Sequence, residues 1–337
     1  MSTLITFGLL GLLTAAEWFL WVVLLRFGLS WAKVEGVTIG RVIGALLLSK
    51  VGQGLVFVLD SQWDDHQRLL TVLLISFATF VLPCVVVAFW FRLKPLRSIQ
   101  AWLPTMVVPV ITIPFAYMIG RFLIEAFVLT SNSMAPTLLG PHLTGLCVRC
   151  DGKCFASYND LEYLKAGLQT QAICTDFHVT QTDDVADLGE SADRIMVAKY
   201  LSPERWDMVA FKVPEDPSTI YVMRLVGLPG EEIVIKDGKV LADSRELIPP
   251  NELAKVEYIT DTNGEQDWPA NWGSPESPAQ LADGEYFVLG DFSARSRDSR
   301  LWVKGAPGHD PYAVPESYIV GVVTCCYWPP DRWRTFR

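Results

Sequence analysis

The sequence predicts N-terminal transmembrane α-helices followed by a mainly β domain with inserts, and three observations carry that expectation. Charge is partitioned along the chain: residues 1–129 hold 9 basic and 6 acidic groups, whereas residues 130–337 hold 19 and 31. Only 19% of the 337 residues are charged and the mean hydropathy is +0.27, against about 25% charged in an ordinary soluble chain. Near Thr130 the pattern switches from long apolar runs to short runs rich in β-branched and aromatic residues. The domains are drawn accordingly, as a membrane anchor over 1–129 and an extracytoplasmic β domain over 130–337. The net charge of -9 and the lack of a Lys/Arg-rich tract argue against nucleic acid as a partner.

Four apolar stretches make up the anchor, since a helix needs about 20 apolar residues to span a bilayer. They are Ser2 to Leu25, Val42 to Leu59, Leu69 to Phe91 and Trp102 to Gly120. The first contains Glu17 and the second, the weakest, contains Lys50; the two could pair inside the bundle. The fourth contains Pro104, Pro109 and Pro114, which lipid-embedded helices tolerate. A cleavable signal peptide does not suit residues 1–25, which lack a basic leading segment. Arg26, Lys33 and Arg41 in the first loop and Arg92, Lys94 and Arg97 in the third place both loops in the cytoplasm. The second loop, Asp60 to His66, is acidic. Everything after the fourth span then lies outside a plasma membrane crossed several times.

In the C-terminal part, Asp207 to Val213, Thr219 to Val226, Glu232 to Ile235 and Glu285 to Leu289 read as strands. Asp237-Gly238 between Ile233 and Val240 marks a tight type I′ hairpin. Residues 141–190, polar and with four cysteines, and residues 250–282, rich in Pro, Asn, Trp and Ser, read as inserts.

The segment Ser131-Asn-Ser133-Met134-Ala-Pro136-Thr137-Leu138 follows the fourth stretch. Farther on come Asp193-Arg-Ile-Met-Val-Ala-Lys199, Arg205-Trp-Asp207-Met-Val-Ala-Phe and Tyr221-Val-Met223-Arg224-Leu-Val-Gly227-Leu-Pro-Gly230. The last box is Gly290-Asp291-Phe-Ser-Ala-Arg-Ser296-Arg-Asp298-Ser-Arg300. Five boxes in this order resemble the type I signal peptidases, and the β part is thereby identified as a signal-peptidase-type catalytic domain. The resemblance implies a membrane-bound serine endopeptidase that removes signal peptides from exported preproteins at Ala-x-Ala sites, with no required cofactor. It implies that Ser133 is the nucleophile of a Ser-Lys dyad and that Ser131 contributes to the oxyanion hole. Ser296 would hold the base, Asp298 and Arg300 would brace the site, and Met134 would line the substrate pockets.

The same alignment puts Met223 where the family has its general-base lysine. A thioether cannot take a proton from serine, and Arg224 stays protonated. Lys199 and Lys212 belong to other boxes and read as solvated strand-edge residues. His142, His178 and His309 lie outside the box where a histidine base would sit. Phe292, Ser293, Ala294 and Arg295 also replace Asn, Arg, Asp and Asn of the family pattern. Two readings follow: a working signal peptidase with an unconventional base, or a catalytically impaired paralogue that binds signal peptides or regulates.

Cys147-Val-Arg-Cys150 with Cys174-Thr-Asp-Phe-His178 has the spacing of a structural zinc site. Disulfides among Cys147, Cys150, Cys154 and Cys174 are the competing expectation outside the membrane. Cys325 and Cys326 read as buried strand residues, and Cys84 lies within a span.

Overall fold

Apolar runs punctuated by proline and glycine build the first part of the chain. The computed structural model describes residues 2–60, 77–182, 184–185, 189–260 and 270–336. The acidic loop after Asp60, residues 69–76 of the third apolar stretch and residues 261–269 of the second insert lie outside these. Two units result, one formed by Leu4–Met118 and the other by Ile119–Arg337 with the first three residues.

The helical unit contains α1 (Ser2–Trp31), α2 (Ile39–Asp60), a π-helical turn (Phe77–Val81) leading into α3 (Leu82–Phe91), and α4 (Pro95–Trp102). A 3₁₀ turn at Leu103–Met106 joins α4 to α5 (Val107–Phe122). Helix α3 ends where Arg92 adopts φ +54°, and α4 starts with proline after extended Lys94. The core collects Leu25, Leu29, Val42, Leu46, Val87 and Trp102. Trp21 stacks on Trp102 with ring centroids 5.6 Å apart. A Cβ on Gly28 would fall 1.9 Å from the Ala101 carbonyl oxygen, so this helix crossing requires glycine.

By length and composition, two helices among the described residues can cross a membrane: Gly11–Trp31 and Pro95–Phe122. The fourth expected stretch is therefore longer than Trp102 to Gly120 and begins at the proline that nucleates α4. Helix α2 forms, but Arg41, Lys50 and Asp60 interrupt its apolar character, and the described part of the third stretch, Phe77–Phe91, is a shorter helix. Glu17 and Lys50 meet through Trp21: its indole N–H donates to Glu17 at 3.2 Å, and the Lys50 ammonium sits 4.0 Å from its ring centroid.

The second unit is mainly β. In chain order its strands are β1 (Ile124–Val128), β2 (His142–Leu146), β3 (Lys153–Ser157), β4 (Thr170–Cys174), β5 (Val179–Thr182), β6 (Arg194–Ala198) and β7 (Met208–Lys212). They continue with β8 (Ile220–Gly227), β9 (Glu232–Lys236), β10 (Lys239–Ala242), β11 (Arg245–Glu246) and β12 (Ala279–Gln280). The last are β13 (Glu285–Leu289), β14 (Val314–Pro315), β15 (Ile319–Trp328) and β16 (Arg334–Thr335). An eight-stranded antiparallel sheet runs β1-β6-β15-β7-β8-β13-β14, with β16 against β15. Strand β1 precedes Thr130 and pairs with β6 from Ile124↔Ala198 to Val128↔Arg194. Apart from Glu125 its residues are apolar and follow directly on the preceding apolar helix, which hides the strand from a periodicity reading.

A second sheet, β11-β10-β9-β12, contains the expected hairpin, with Asp237 at φ +51° and Gly238 at φ +76°. The first insert forms a sheet of its own, β2-β3-β4-β5, with a short helix, α6 (Leu161–Lys165), between β3 and β4. Cys325 and Cys326 lie in β15, both buried and unbridged.

Candidate active site

The loop that follows β1 is pinned at both ends by one side chain. Buried Asn132 donates through Nδ2 to the Pro141 carbonyl at 2.9 Å and accepts the Gly140 N–H at 2.9 Å. A Cβ on Gly140 would lie 2.6 Å from the Ser131 carbonyl oxygen, so the loop closes only on glycine. Between these anchors the Ser131 and Ser133 hydroxyls lie 3.3 Å apart. The Ser133 carbonyl accepts the Phe292 N–H at 3.0 Å, which joins the Ser133 segment to the last box.

That box is held by buried ion pairs. The Asp298 carboxylate accepts the Gly290 N–H at 2.9 Å and two guanidinium bonds from Arg300 at 2.8 Å each. Arg300 also donates to the Ser293 hydroxyl at 2.7 Å and the Ser293 carbonyl at 2.9 Å. Arg224 on β8 makes a bidentate pair with Asp291, at 3.1 and 2.5 Å. Burial disfavours the Arg224 charge, but Asp291 outweighs burial and holds the guanidinium above its ordinary pKa.

Ser131, Ser133 and Met223 share a hollow of about 230 Å³ with Tyr221, Arg295 and, from the first insert, Asn159. An adjoining hollow of about 180 Å³ runs from Phe127 past Ser133 and Met134 to Ile220 and Val222. Strands β1 and β8 are four places apart in the sheet, yet both line this second hollow, so the sheet curls around it. Among the described residues β1 pairs only with β6, and β13 covers β8 only from Arg224 onward, so both strands present edge without a described partner there.

Met223 is 1% exposed, and among the described residues lining the two hollows there is no lysine or histidine. The Ser296 hydroxyl is buried and has no hydrogen-bond partner among the described residues. Lys199 is not the solvated residue expected: its side chain is 15% exposed, pairs with Glu125 at 2.7 Å and donates to the Gly120 carbonyl at 2.8 Å. Lys212 is exposed at the end of β7. His142 Nδ1 lies 2.8 Å from the Gly140 carbonyl oxygen, and His309 Nδ1 lies 2.6 Å from Glu285.

The departures in the last box have structural partners that sequence reading missed. Arg295 makes a bidentate pair with Asp160 of the first insert, whose carboxylate also accepts the Thr170 hydroxyl at 2.6 Å. Burial pushes the Asp160 carboxyl up, but the bonds from Arg295 and Thr170 prevail and its pKa lies below the usual 3.8. Phe292 packs in one cluster with Ala135 and Leu139 of the Ser133 loop and Phe155 and Ile173 of the insert. The Ser293 hydroxyl accepts the Ile259 N–H at 2.8 Å, reaching the second insert. The replaced residues are therefore docking contacts for the inserts. Their partners lie more than a hundred positions away in some cases, as with Arg295 and Asp160.

The insert cysteines also meet. Ligand atoms of Cys147, Cys150, Cys174 and His178 all lie within 4.8 Å of one another.

A family profile described as signal peptidase, peptidase S26, matches residues 167–328. Signal peptidase I of Pseudomonas fluorescens is 26% identical over 227 residues, 63% of this chain and 68% of that protein. A probable signal peptidase I-1 of Synechocystis is 26% identical over 155 residues, 43% of this chain and 66% of its own. Signal peptidase I of Rickettsia prowazekii is 31% identical over 120 residues, 29% of this chain and 45% of its own. A solved signal peptidase I from Enterococcus faecalis is 30% identical, with 37% of this chain and 98% of that one covered and a TM-score of 0.27.

Proposed function

Because this chain belongs to the signal peptidase family, peptidase S26, we propose that it is a membrane-bound endopeptidase of the signal peptidase I type acting on exported preproteins. Its anchor crosses the plasma membrane several times within residues 1–129, and residues 130–337 work on the extracytoplasmic side. The observation that carries this reading is the Ser131–Ser133 hydroxyl pair, 3.3 Å apart, in a groove bounded by β1 and β8. A signal peptide enters as an extended strand along those edges, since unpaired backbone groups recognise an incoming strand without regard to its sequence. Small residues of an Ala-x-Ala site occupy the hollow beside Met134.

Ser133 attacks the scissile carbonyl, and its own N–H with the Ser131 hydroxyl stabilises the negative charge that develops on oxygen. Asp298 and Arg300 brace the segment that bonds the Ser133 carbonyl, Ser296 stands where it would hold a base, and none of the three takes a direct part. Hydrolysis by this route needs no cofactor. With Met223 in place of an amine, the Ser133 proton leaves to solvent, and loss of a positioned base costs about 10²–10⁴ in rate.

The same two observations, buried Met223 and the unpartnered Ser296 hydroxyl, favour a second reading: a paralogue that binds signal peptides without cleaving them. Purified full-length protein in detergent, incubated with a preprotein bearing an Ala-x-Ala site, separates the two. Slow cleavage that Ser133→Ala abolishes supports the peptidase. Binding of the preprotein with no cleavage by wild type leaves the second reading standing.

A further inference from the structure

We propose that Cys147, Cys150, Cys174 and His178 bind one structural zinc ion at the tips of two adjacent hairpins of the first insert. This goes beyond the peptidase reading and stands whether or not the chain cleaves peptides. Cys147 and Cys150 occupy the turn between β2 and β3, and Cys174 and His178 flank the turn between β4 and β5. Each turn is shaped by its own backbone. In the first, Asp151 donates to the Cys147 carbonyl at 2.8 Å, and Asp151 adopts φ +55°. In the second, Phe177 donates to the Cys174 carbonyl at 2.9 Å, and Phe177 adopts φ +62°. A left-handed residue without glycine is uncommon, and here it appears once per turn, in each case beside a ligand.

The two turns bring their side chains to one point. The Cys150 and Cys174 sulfurs are 3.7 Å apart, close to the edge of a tetrahedron with metal–sulfur bonds of about 2.3 Å. The His178 Nδ1 is buried without a hydrogen-bond partner, so it is poised to give a lone pair to an ion. Cys147 and Cys174 are buried, while Cys150 faces the surface and offers an entry path. Three thiolates and one imidazole suit zinc, and four filled positions make the site structural, with no place for a reactive water. Cys154, also buried in this sheet, is outside the set.

The zinc ties together a sheet whose other residues support the candidate site. Phe155 and Ile173, with Phe177 and Val179 against them, pack on Ala135 and Leu139 of the Ser133 loop. Metal content of the purified full-length protein, measured by mass spectrometry alongside thiol state, tests the proposal. About one zinc per chain is expected, lost in Cys150→Ser and His178→Ala but kept in Cys154→Ala, with a chelator lowering the melting temperature. Where the ligand variants fail to fold, cobalt replacement in wild type gives the visible bands of a tetrahedral thiolate site. A metal-free wild type with its insert cysteines in disulfides overturns the proposal, as does zinc retained by Cys150→Ser with His178→Ala combined.

Discussion

Met223 fills, 1% exposed, a position facing Ser133 across the candidate groove, and the Ser296 hydroxyl is buried without a partner. A buried hydroxyl that makes no hydrogen bond is a cost that a well-used site removes. Both facts fit a site whose amine has been exchanged for a thioether while its companion stayed. A lysine introduced at 223 would be desolvated, which lowers its pKa toward the neutral form a base requires. Met223→Lys is therefore expected to raise preprotein cleavage about 10²-fold or more. Ser296→Ala separates support from mere filling. In the Met223 background it relieves an unsatisfied group and raises stability by about 1 kcal/mol in thermal unfolding. In the Met223→Lys background it removes part of the gained rate. A folded Met223→Lys protein no faster than its parent would sink the idea that the groove is intact.

At the scale of elements, the first insert is clamped to the loop that carries Ser296. Arg295 on that loop holds Asp160, and Asp160 holds Thr170 at the start of β4. The Asp160 carboxyl has its folded pKa below 3.8. A group of this kind stabilises the fold above its unfolded pKa and ceases to do so as pH falls through the folded value. The clamp is thus complete at neutral pH and fails in acid. Wild type should lose melting temperature more steeply than Asp160→Asn as the pH is taken below 3.8, and parallel curves for the two proteins would refute the clamp. These contacts were not legible in the sequence. Phe292 to Arg295 looked like the decay of a motif because Asp160, Phe155 and Ile259 are distant in the chain and carry no signature of their own. Asp237-Gly238 was legible because a two-residue turn states its geometry locally. Strand β1 was hidden for the opposite reason, since four of its five residues are apolar and follow directly on an apolar helix.

For the molecule as a whole, the charge partition makes a claim about orientation. The two helices able to span, Gly11–Trp31 and Pro95–Phe122, enclose six basic residues, with Lys33 and Arg41 near one end of the intervening segment and Arg92 and Lys94 near the other. Because positive residues favour the cytoplasm, the proposed orientation puts both ends of the intervening segment in the cytoplasm and the residues after Phe122 outside. The same orientation follows if α2 and the segment ending in α3 cross as a further pair, so two spans and four spans agree. Lys94 and Lys236 are both exposed and report the two sides. In spheroplasts, a membrane-impermeant maleimide is expected to label Lys236→Cys directly and Lys94→Cys only after lysis, with peptide mapping to separate each from the seven native cysteines. Labelling of Lys94→Cys in intact spheroplasts would reverse the orientation and place the Ser133 groove on the wrong side of the membrane for a preprotein's cleavage site.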